Sequence, residues 1–99
     1  MRLRELYFEA AEYLVDILIR ARSLDEADRV CRDAIARESC REVFHRMRMQ
    51  CLLAQGRVEE AERQFRLCRE ALDRELGVEP LPETHRIAER IRALRAAGN

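Results

Sequence analysis

This 99-residue sequence contains four cysteines and two histidines, the side chains that could take part in the widest range of reactions and metal binding. Cys31, Cys40, Cys51 and Cys68 lie 9, 11 and 17 residues apart, so no two of them form the C-x-x-C pair that structural zinc sites commonly use. Cys31, Cys51 and Cys68 fall on apolar helix faces, where a free thiol behaves as a small hydrophobic side chain. The spacing therefore predicts reduced packing cysteines, with no metal ligands and no cofactor.

The same residue types do not form a recognisable catalytic set. A nucleophile needs a positioned base and an oxyanion donor, and the sequence has no Gly-rich loop and no paired histidines. Cys40 and His45 are five residues apart, which turns them away from each other on a continuous helix. His45 and Arg46 could contact a ligand or a partner, but we favour an ion pair of Glu42 with Arg46 and a packed His45. His85 is expected at the surface, and no catalytic residue is predicted.

The charge pattern argues against several classes of partner. The sequence has 19 basic and 19 acidic residues and a formal net charge of zero, whereas nucleic-acid-binding domains carry a basic footprint. Residues 57–75 alternate arginines with acidic residues, so this stretch offers phosphate groups no net attraction. No apolar run reaches the length of a membrane span, and the N-terminus is too acidic for a signal peptide. We therefore expect a cytoplasmic protein that does not bind membranes.

The hydrophobic periodicity and the helix-ending residues predict a single domain over residues 1–99. Its five helices are predicted at residues 3–21, 25–37, 41–55, 58–76 and 82–96. Residues 23–26 and 39–42 each have a Ser followed three residues later by a Glu, the spacing of a capping box at a helix start. Gly56 and Gly77 are expected to end the third and fourth helices in the left-handed conformation. Pro82 suits the first position of the fifth helix.

An internal repeat appears when the sequence is shifted by 34 positions. Residues 24–34 then align with residues 58–68, so that Ala27 meets Ala61 and Cys31 meets Phe65. A period of 34 with small residues at the helix crossings is the pattern of tetratricopeptide repeats. The sequence therefore predicts an all-α fold of tetratricopeptide-like, right-handed helical hairpin repeats, with two hairpins and a C-terminal capping helix.

The second repeat carries a more specific pattern, which consists of Glu42, His45, Arg46, Met49, the run QGRVEEA, Gln64, Phe65, Cys68, Leu72, and finally ELGVEP and PET. This pattern resembles the bacterial transcriptional activator domain, a helical repeat module of antibiotic-pathway regulators. The resemblance spans nearly the whole chain. It departs from the family at Leu81, where Ser is common, and before the third helix, where an acidic residue and Pro are usual.

The resemblance implies a regulatory module that sits beside a winged-helix DNA-binding domain and mediates self-association or contact with other proteins. This chain has no winged-helix sequence, so we expect DNA binding only through a separate domain. The resulting prediction is a non-catalytic interaction and oligomerisation module of a bacterial transcriptional regulator. A general peptide-binding scaffold is the alternative, and direct DNA binding by the helix-turn-helix-like residues 43–76 is a third.

The first predicted helix carries apolar residues on two faces. One apolar stripe consists of Leu3, Leu6, Ala10, Leu14 and Ile17, and the second consists of Phe8, Ala11, Val15 and Ile19. A single neighbouring helix cannot cover both stripes. We expect the second stripe to be the surplus one, covered by an identical chain or by a further helix, and we predict a homodimer through this helix.

A third face of the same helix is acidic. In the 34-residue register Glu9, Glu12 and Asp16 correspond to Val43, Arg46 and Gln50, which are positions that line the concave groove of tetratricopeptide repeats. The predicted partner groove therefore consists of Glu9, Glu12, Asp16, Arg46 and Gln50. A basic peptide could be held there by charge complementarity, and an acidic face that is merely solvated is the alternative.

Overall fold

The computed structural model describes residues 2–98, which form five α-helices and no strand. The helices are α1 (Arg2–Arg20), α2 (Leu24–Arg37), α3 (Glu42–Ala54), α4 (Val58–Leu76) and α5 (Pro82–Gly98). The predicted all-α fold is therefore confirmed. The helix ends lie within two residues of the predicted ones. No helix in the described part of the chain is both long and apolar enough to cross a bilayer.

Left-handed residues end three of the helices. Gly56 has a φ of 75° and Gly77 a φ of 66°, as predicted for both. After α4 the N–H of Gly77 donates to the carbonyl of Asp73 at 3.0 Å, which satisfies one of the carbonyls that a helix end leaves open. The end of α1 was not predicted to need such a residue, yet Arg22 has a φ of 63°. A side chain in this region is strained, because the Cβ atom crowds the following carbonyl.

The predicted capping boxes are wrong. Ser23 is the residue before α2, but its side chain makes no capping hydrogen bond. Helix α3 begins three residues after Ser39, and Arg41 precedes it without a side-chain cap. Ser39 instead contributes its backbone carbonyl, which accepts a hydrogen bond from His45.

The five helices form a two-layered slab. Each helix contacts the next one along the chain, and α3 also contacts both α1 and α5. The smallest extent of the molecule is 19 Å, about two helix diameters of ~10 Å. Helices α1, α3 and α5 therefore make one layer, and α2 and α4 make the other.

The core consists of three clusters that join these layers. The first lies between α1, α2 and the start of α3 and contains Phe8, Ala11, Ala34 and Phe44. The second contains Val15, Ala27, Cys31 and Cys51. The third packs α5 against the α3–α4 hairpin and contains Met49, Leu52, Ala61, Phe65, Ile87, Ala88 and Ile91. Ala27 and Ala61, which the 34-residue shift aligns, are both fully buried.

Candidate interaction surfaces

A buried polar network begins at His45, which α3 places beside α4. The Nε2 of His45 donates to the backbone carbonyl of Ser39 at 2.8 Å. Because a carbonyl can only accept, the proton of the neutral ring lies on Nε2. Nδ1 then accepts a hydrogen bond from the amide nitrogen of Gln64 at 2.7 Å. His45 and Gln64 are only 1% and 2% exposed, and burial lowers the pKa of His45 below its usual value.

The network continues from Gln64 to α2 through an arginine. The Nη1 of Arg48 donates to the amide oxygen of Gln64 at 2.5 Å, and its Nε donates to Asp28 Oδ1 at 2.6 Å. The other oxygen of Asp28 pairs with Arg32 at 3.0 Å. The chain of contacts links α2, α3 and α4 and fixes the amide orientation of Gln64. Both ring nitrogens of His45 are occupied, so the network holds helices together and offers no free base.

A second polar cluster fastens the start of α5 to α3. The carboxylate of Glu42 accepts hydrogen bonds from the backbone N–H of Leu81, at 2.7 Å, and from the hydroxyl of Thr84. Arg46 pairs with Glu42 at 3.9 Å and donates to Thr84 Oγ1 at 3.2 Å. Leu81, the residue before α5, has no side-chain oxygen that could cap the helix, and Glu42 holds this residue by accepting its N–H. The predicted Glu42–Arg46 ion pair and the packed His45 are confirmed.

The predicted partner groove is divided between two places. Glu9, Glu12 and Asp16 line a shallow cleft of about 390 Å³, together with Tyr13 of α1 and Met47 of α3. Arg46 is instead engaged with Glu42 and Thr84 near α5, and Gln50 is exposed on α3. The acidic row therefore faces one apolar side chain of α3, and neither Arg46 nor Gln50 lines this cleft. Sequence reasoning missed both; Tyr13 follows from the helical spacing of the acidic row, whereas Met47 belongs to a different helix.

The stripe predicted as a self-association face lies inside the protein. Phe8, Ala11 and Val15 are buried in the chain's own core, where the ring of Phe8 lies 6.0 Å from that of Phe44. Ile19 is half-buried against the cluster of Val15. The choice of this stripe as the surplus face was wrong because α2 and α3 together cover it.

The other apolar stripe of α1 is exposed instead. We call it the outer face of α1, and it consists of Leu3, Leu6, Ala10, Leu14 and Ile17. Leu3 is 81% exposed, and Leu14 and Ile17 are each 44% exposed. A contiguous apolar strip of this length on a soluble surface is typical of a protein contact.

A groove of about 450 Å³ runs between the outer face and α2. Its lining is mostly apolar and consists of Tyr7, Ala10, Ala11, Leu14, Arg29, Val30 and Asp33. The small side chains of Ala10 and Ala11 create the depression. Sequence reasoning did not identify the α2 side of this groove, although Arg29 and Asp33 are one helical turn apart and therefore share a face.

The four cysteines are free thiols. Cys31, Cys51 and Cys68 are buried, and Cys40 is half-buried in the loop before α3. Burial raises the pKa of Cys51 to about 11 and that of Cys68 to about 12, and it also raises the pKa of Cys31. These thiols are poor nucleophiles at neutral pH. Within residues 2–98, no three potential ligands among His, Cys, Asp and Glu lie close enough to hold a metal ion.

Comparison with known proteins identifies the family. No curated protein and no solved structure matches this chain. The family model of the bacterial transcriptional activator domain matches residues 1–92, which is nearly the full length. The match includes the hairpin of α3 and α4 as well as Glu42 and the residues at the start of α5 that it binds. The chain therefore belongs to the bacterial transcriptional activator domain family.

Proposed function

We propose that the chain is a non-catalytic protein-interaction module of a bacterial transcriptional regulator and works in the cytoplasm. Family membership supports the regulatory context. In this proposal residues 1–99 are one domain, with two tetratricopeptide-like hairpins and α5 as the capping helix. The contacts of each helix with the next, together with those of α3 with α1 and α5, are compatible with such a stack. DNA binding is assigned to a separate domain of the regulator.

The outer face of α1 is the observation that carries the interaction role. Its leucines and isoleucine are exposed although the rest of the hairpin has a closed core. A partner that covers water-exposed leucines on one helix face stabilises the complex by about 25 cal/mol for each Å² of apolar surface removed from water. Their common direction also gives the contact a defined geometry, which scattered exposed side chains would not do.

The acidic cleft supports a second candidate function, the capture of a basic peptide segment. Glu9, Glu12 and Asp16 line it beside the exposed ring of Tyr13 and the side chain of Met47. Arginine side chains pair with carboxylates and also stack on aromatic rings. This cleft suits the general peptide-binding scaffold, which remains the alternative to a role tied to transcription.

A reporter experiment tests the interaction role. The chain is fused to an unrelated DNA-binding domain whose operator lies upstream of a reporter promoter in a bacterial cell. We expect the fusion to change reporter transcription relative to the DNA-binding domain alone. The change should disappear with Leu14→Asp, on the outer face, and persist with Leu76→Asp.

The two variants are matched, since Leu76 is 57% exposed at the far end of α4. Circular dichroism of the purified chains confirms that both remain helical. A fusion without any effect on transcription would contradict the proposed role. Equal loss in both variants would show that the outer face of α1 does not carry it.

A further inference from the structure

We propose that a cleft between α2 and α4 binds a small organic carboxylate, a ligand that joins one negative charge to an apolar body. The cleft has a volume of about 290 Å³, close to the lower end of the ~300–1,000 Å³ of small-molecule sites. His45 and Arg48 of α3 lie at its floor, Ile35 and Ala36 of α2 form one wall, and Leu67 and Ala71 of α4 form the other. We call it the interhairpin cleft, because each wall belongs to a different hairpin.

The interhairpin cleft exists because α2 and α4 do not pack against each other. Both helices contact α3, but among residues 2–98 no pair of Cα atoms from α2 and α4 lies within 8 Å. Ala36 and Ala71 add only a methyl group each to the walls, which leaves the space between the helices open. Leu67 is 46% exposed, so a ligand with an apolar body would remove apolar surface from water. The walls therefore favour the body of the ligand rather than its charge.

The floor of the cleft presents an arginine that the protein itself holds in place. The Nε of Arg48 donates to Asp28 Oδ1 at 2.6 Å, and its Nη1 donates to Gln64 at 2.5 Å. Within residues 2–98, its Nη2 has no hydrogen-bond acceptor, and the side chain is 18% exposed. Because two of its nitrogens are fixed, the guanidinium offers the third to a ligand oxygen at little cost in conformational entropy. Carboxylate oxygens accept strong hydrogen bonds from such a charged donor.

The charges at the floor leave one positive charge without a counterpart. Arg32 and Arg48 both pair with Asp28, at 3.0 Å and 2.6 Å. Asp28 is only 5% exposed, so two guanidinium groups share one buried carboxylate. A ligand with a single carboxylate neutralises the remaining charge. A phosphate group carries about −1.5 to −2 at pH 7 and would bring more negative charge than the floor balances.

The rim of the cleft adds no further positive charge. Arg74 of α4 pairs with Glu75 at 3.2 Å, and Glu70, one helical turn before Arg74, also lines the rim. All three side chains are exposed, so water screens their charges. The favourable place for the negative charge of the ligand is therefore the floor beside Arg48, with the apolar body between the two walls.

An NMR titration of the isotope-labelled chain tests the site with hydrocinnamate, a phenyl ring on a short alkyl chain that ends in a carboxylate. We expect saturable shifts at Ser39, at Ala71 and at the side-chain amide of Gln64, with a Kd of about 1 mM, as for other ligands of this size. Hydrocinnamyl alcohol, which lacks the charge, and acetate, which lacks the apolar body, should each bind at least about tenfold more weakly. Inorganic phosphate should also bind more weakly than hydrocinnamate.

Three results of this titration would overturn the proposal. The first is hydrocinnamate that causes no saturable shift at these signals. The second is equal binding of the alcohol, which would show that the cleft selects an apolar body alone. The third is equal binding of acetate or phosphate, which would show that the arginines attract any anion.

A charge placed in the wall tests the location of the site. Leu67→Asp puts a carboxylate beside the ligand and should raise the Kd of hydrocinnamate at least about tenfold. Leu76→Asp makes the same change at a leucine of α4 that does not line the cleft, and it should leave the Kd unchanged. The two leucines are 46% and 57% exposed, so both variants should keep the fold, which circular dichroism checks. Unchanged binding by Leu67→Asp would overturn the proposal.

Arg32→Gln tests the charge at the floor and leaves Asp28 paired, because Arg48 keeps its contact with that carboxylate. We expect this variant to raise the Kd of hydrocinnamate roughly fivefold. Arg63→Gln, at an exposed arginine of α4 outside the cleft, should have no effect. Equal Kd values for the two variants would overturn the proposed recognition of a carboxylate. Leu14→Asp, which tests the interaction role, should bind hydrocinnamate normally, so either proposal can fail without the other.

Discussion

Replacing Gln64 by leucine should destabilise the protein strongly, although leucine is more apolar and of similar size. Gln64 is 2% exposed and joins two partners. Its amide nitrogen donates to His45 Nδ1 at 2.7 Å, and its amide oxygen accepts from Arg48 at 2.5 Å. The substitution removes both contacts and leaves each partner in place.

The size of the effect follows from the surroundings of the two orphaned groups. A buried polar group without a partner costs about 1–3 kcal/mol. His45 is 1% exposed, so water cannot replace the lost donor at Nδ1. The side chain of Arg48 is 18% exposed and keeps its ion pair with Asp28, so its loss lies at the lower end of that range. We expect Gln64→Leu to lower the free energy of unfolding by about 2–4 kcal/mol.

Urea unfolding followed by circular dichroism measures this change, with Gln50→Leu as the control. Gln50 is an exposed glutamine on α3, and its substitution should change stability by less than about 0.5 kcal/mol. The unfolding midpoint should fall while the slope with urea stays constant. A loss below about 1 kcal/mol for Gln64→Leu would refute the reasoning, since it would mean that His45 and Arg48 find other partners at little cost.

Three further predictions concern pH, the attachment of α5 to Glu42 and backbone strain. The stability that depends on neutral His45 should be complete above about pH 6.5, its ordinary pKa, and fall as the pH drops through its lowered folded-state pKa. The unfolded chain binds the proton more readily than the folded one. Thermal melts should therefore show a melting temperature that falls as the pH is lowered, and His45→Asn should reduce this pH dependence. Glu42→Ala should raise amide exchange in α5 at least about tenfold, because it removes the carboxylate that accepts hydrogen bonds from Leu81 and Thr84, each worth about 1.5–3 kcal/mol, whereas the exposed Glu83→Ala should not. Arg22→Gly should raise the unfolding free energy by about 0.5–1 kcal/mol, because glycine adopts a positive φ without strain. A melting temperature that falls in this variant would contradict the strain at Arg22.

Helix positions could be predicted from the sequence because they depend on local periodicity and on breakers such as Gly56 and Gly77. The prediction of a capping box at Ser39 was wrong because Arg41, and not Ser39, is the residue before α3. The carbonyl of Ser39 accepts a hydrogen bond from His45, and no side-chain cap forms at Ser23.

The candidate site was harder to predict because it depends on which faces the helices turn toward each other. Periodicity showed two apolar stripes on α1 and could not rank them, since both have the spacing of a buried face. The arrangement of α2 and α3 decides that Val15 is inside and Leu14 outside. The hydrogen bond from Leu81 to Glu42 joins residues 39 positions apart in sequence, and no local rule connects them.

The three buried thiols allow local opening of the protein to be measured without any substitution. Alkylating reagents reach a cysteine of this kind only while the surrounding helices separate, so the labelling rate measures how often they do so. Cys31 and Cys51 lie between the two hairpins, whereas Cys68 lies on α4 among side chains that include Glu42 and Arg46 of α3. The half-buried Cys40 supplies the reference rate. Motion between the hairpins and motion within the second hairpin can thus be timed separately in the unmodified sequence.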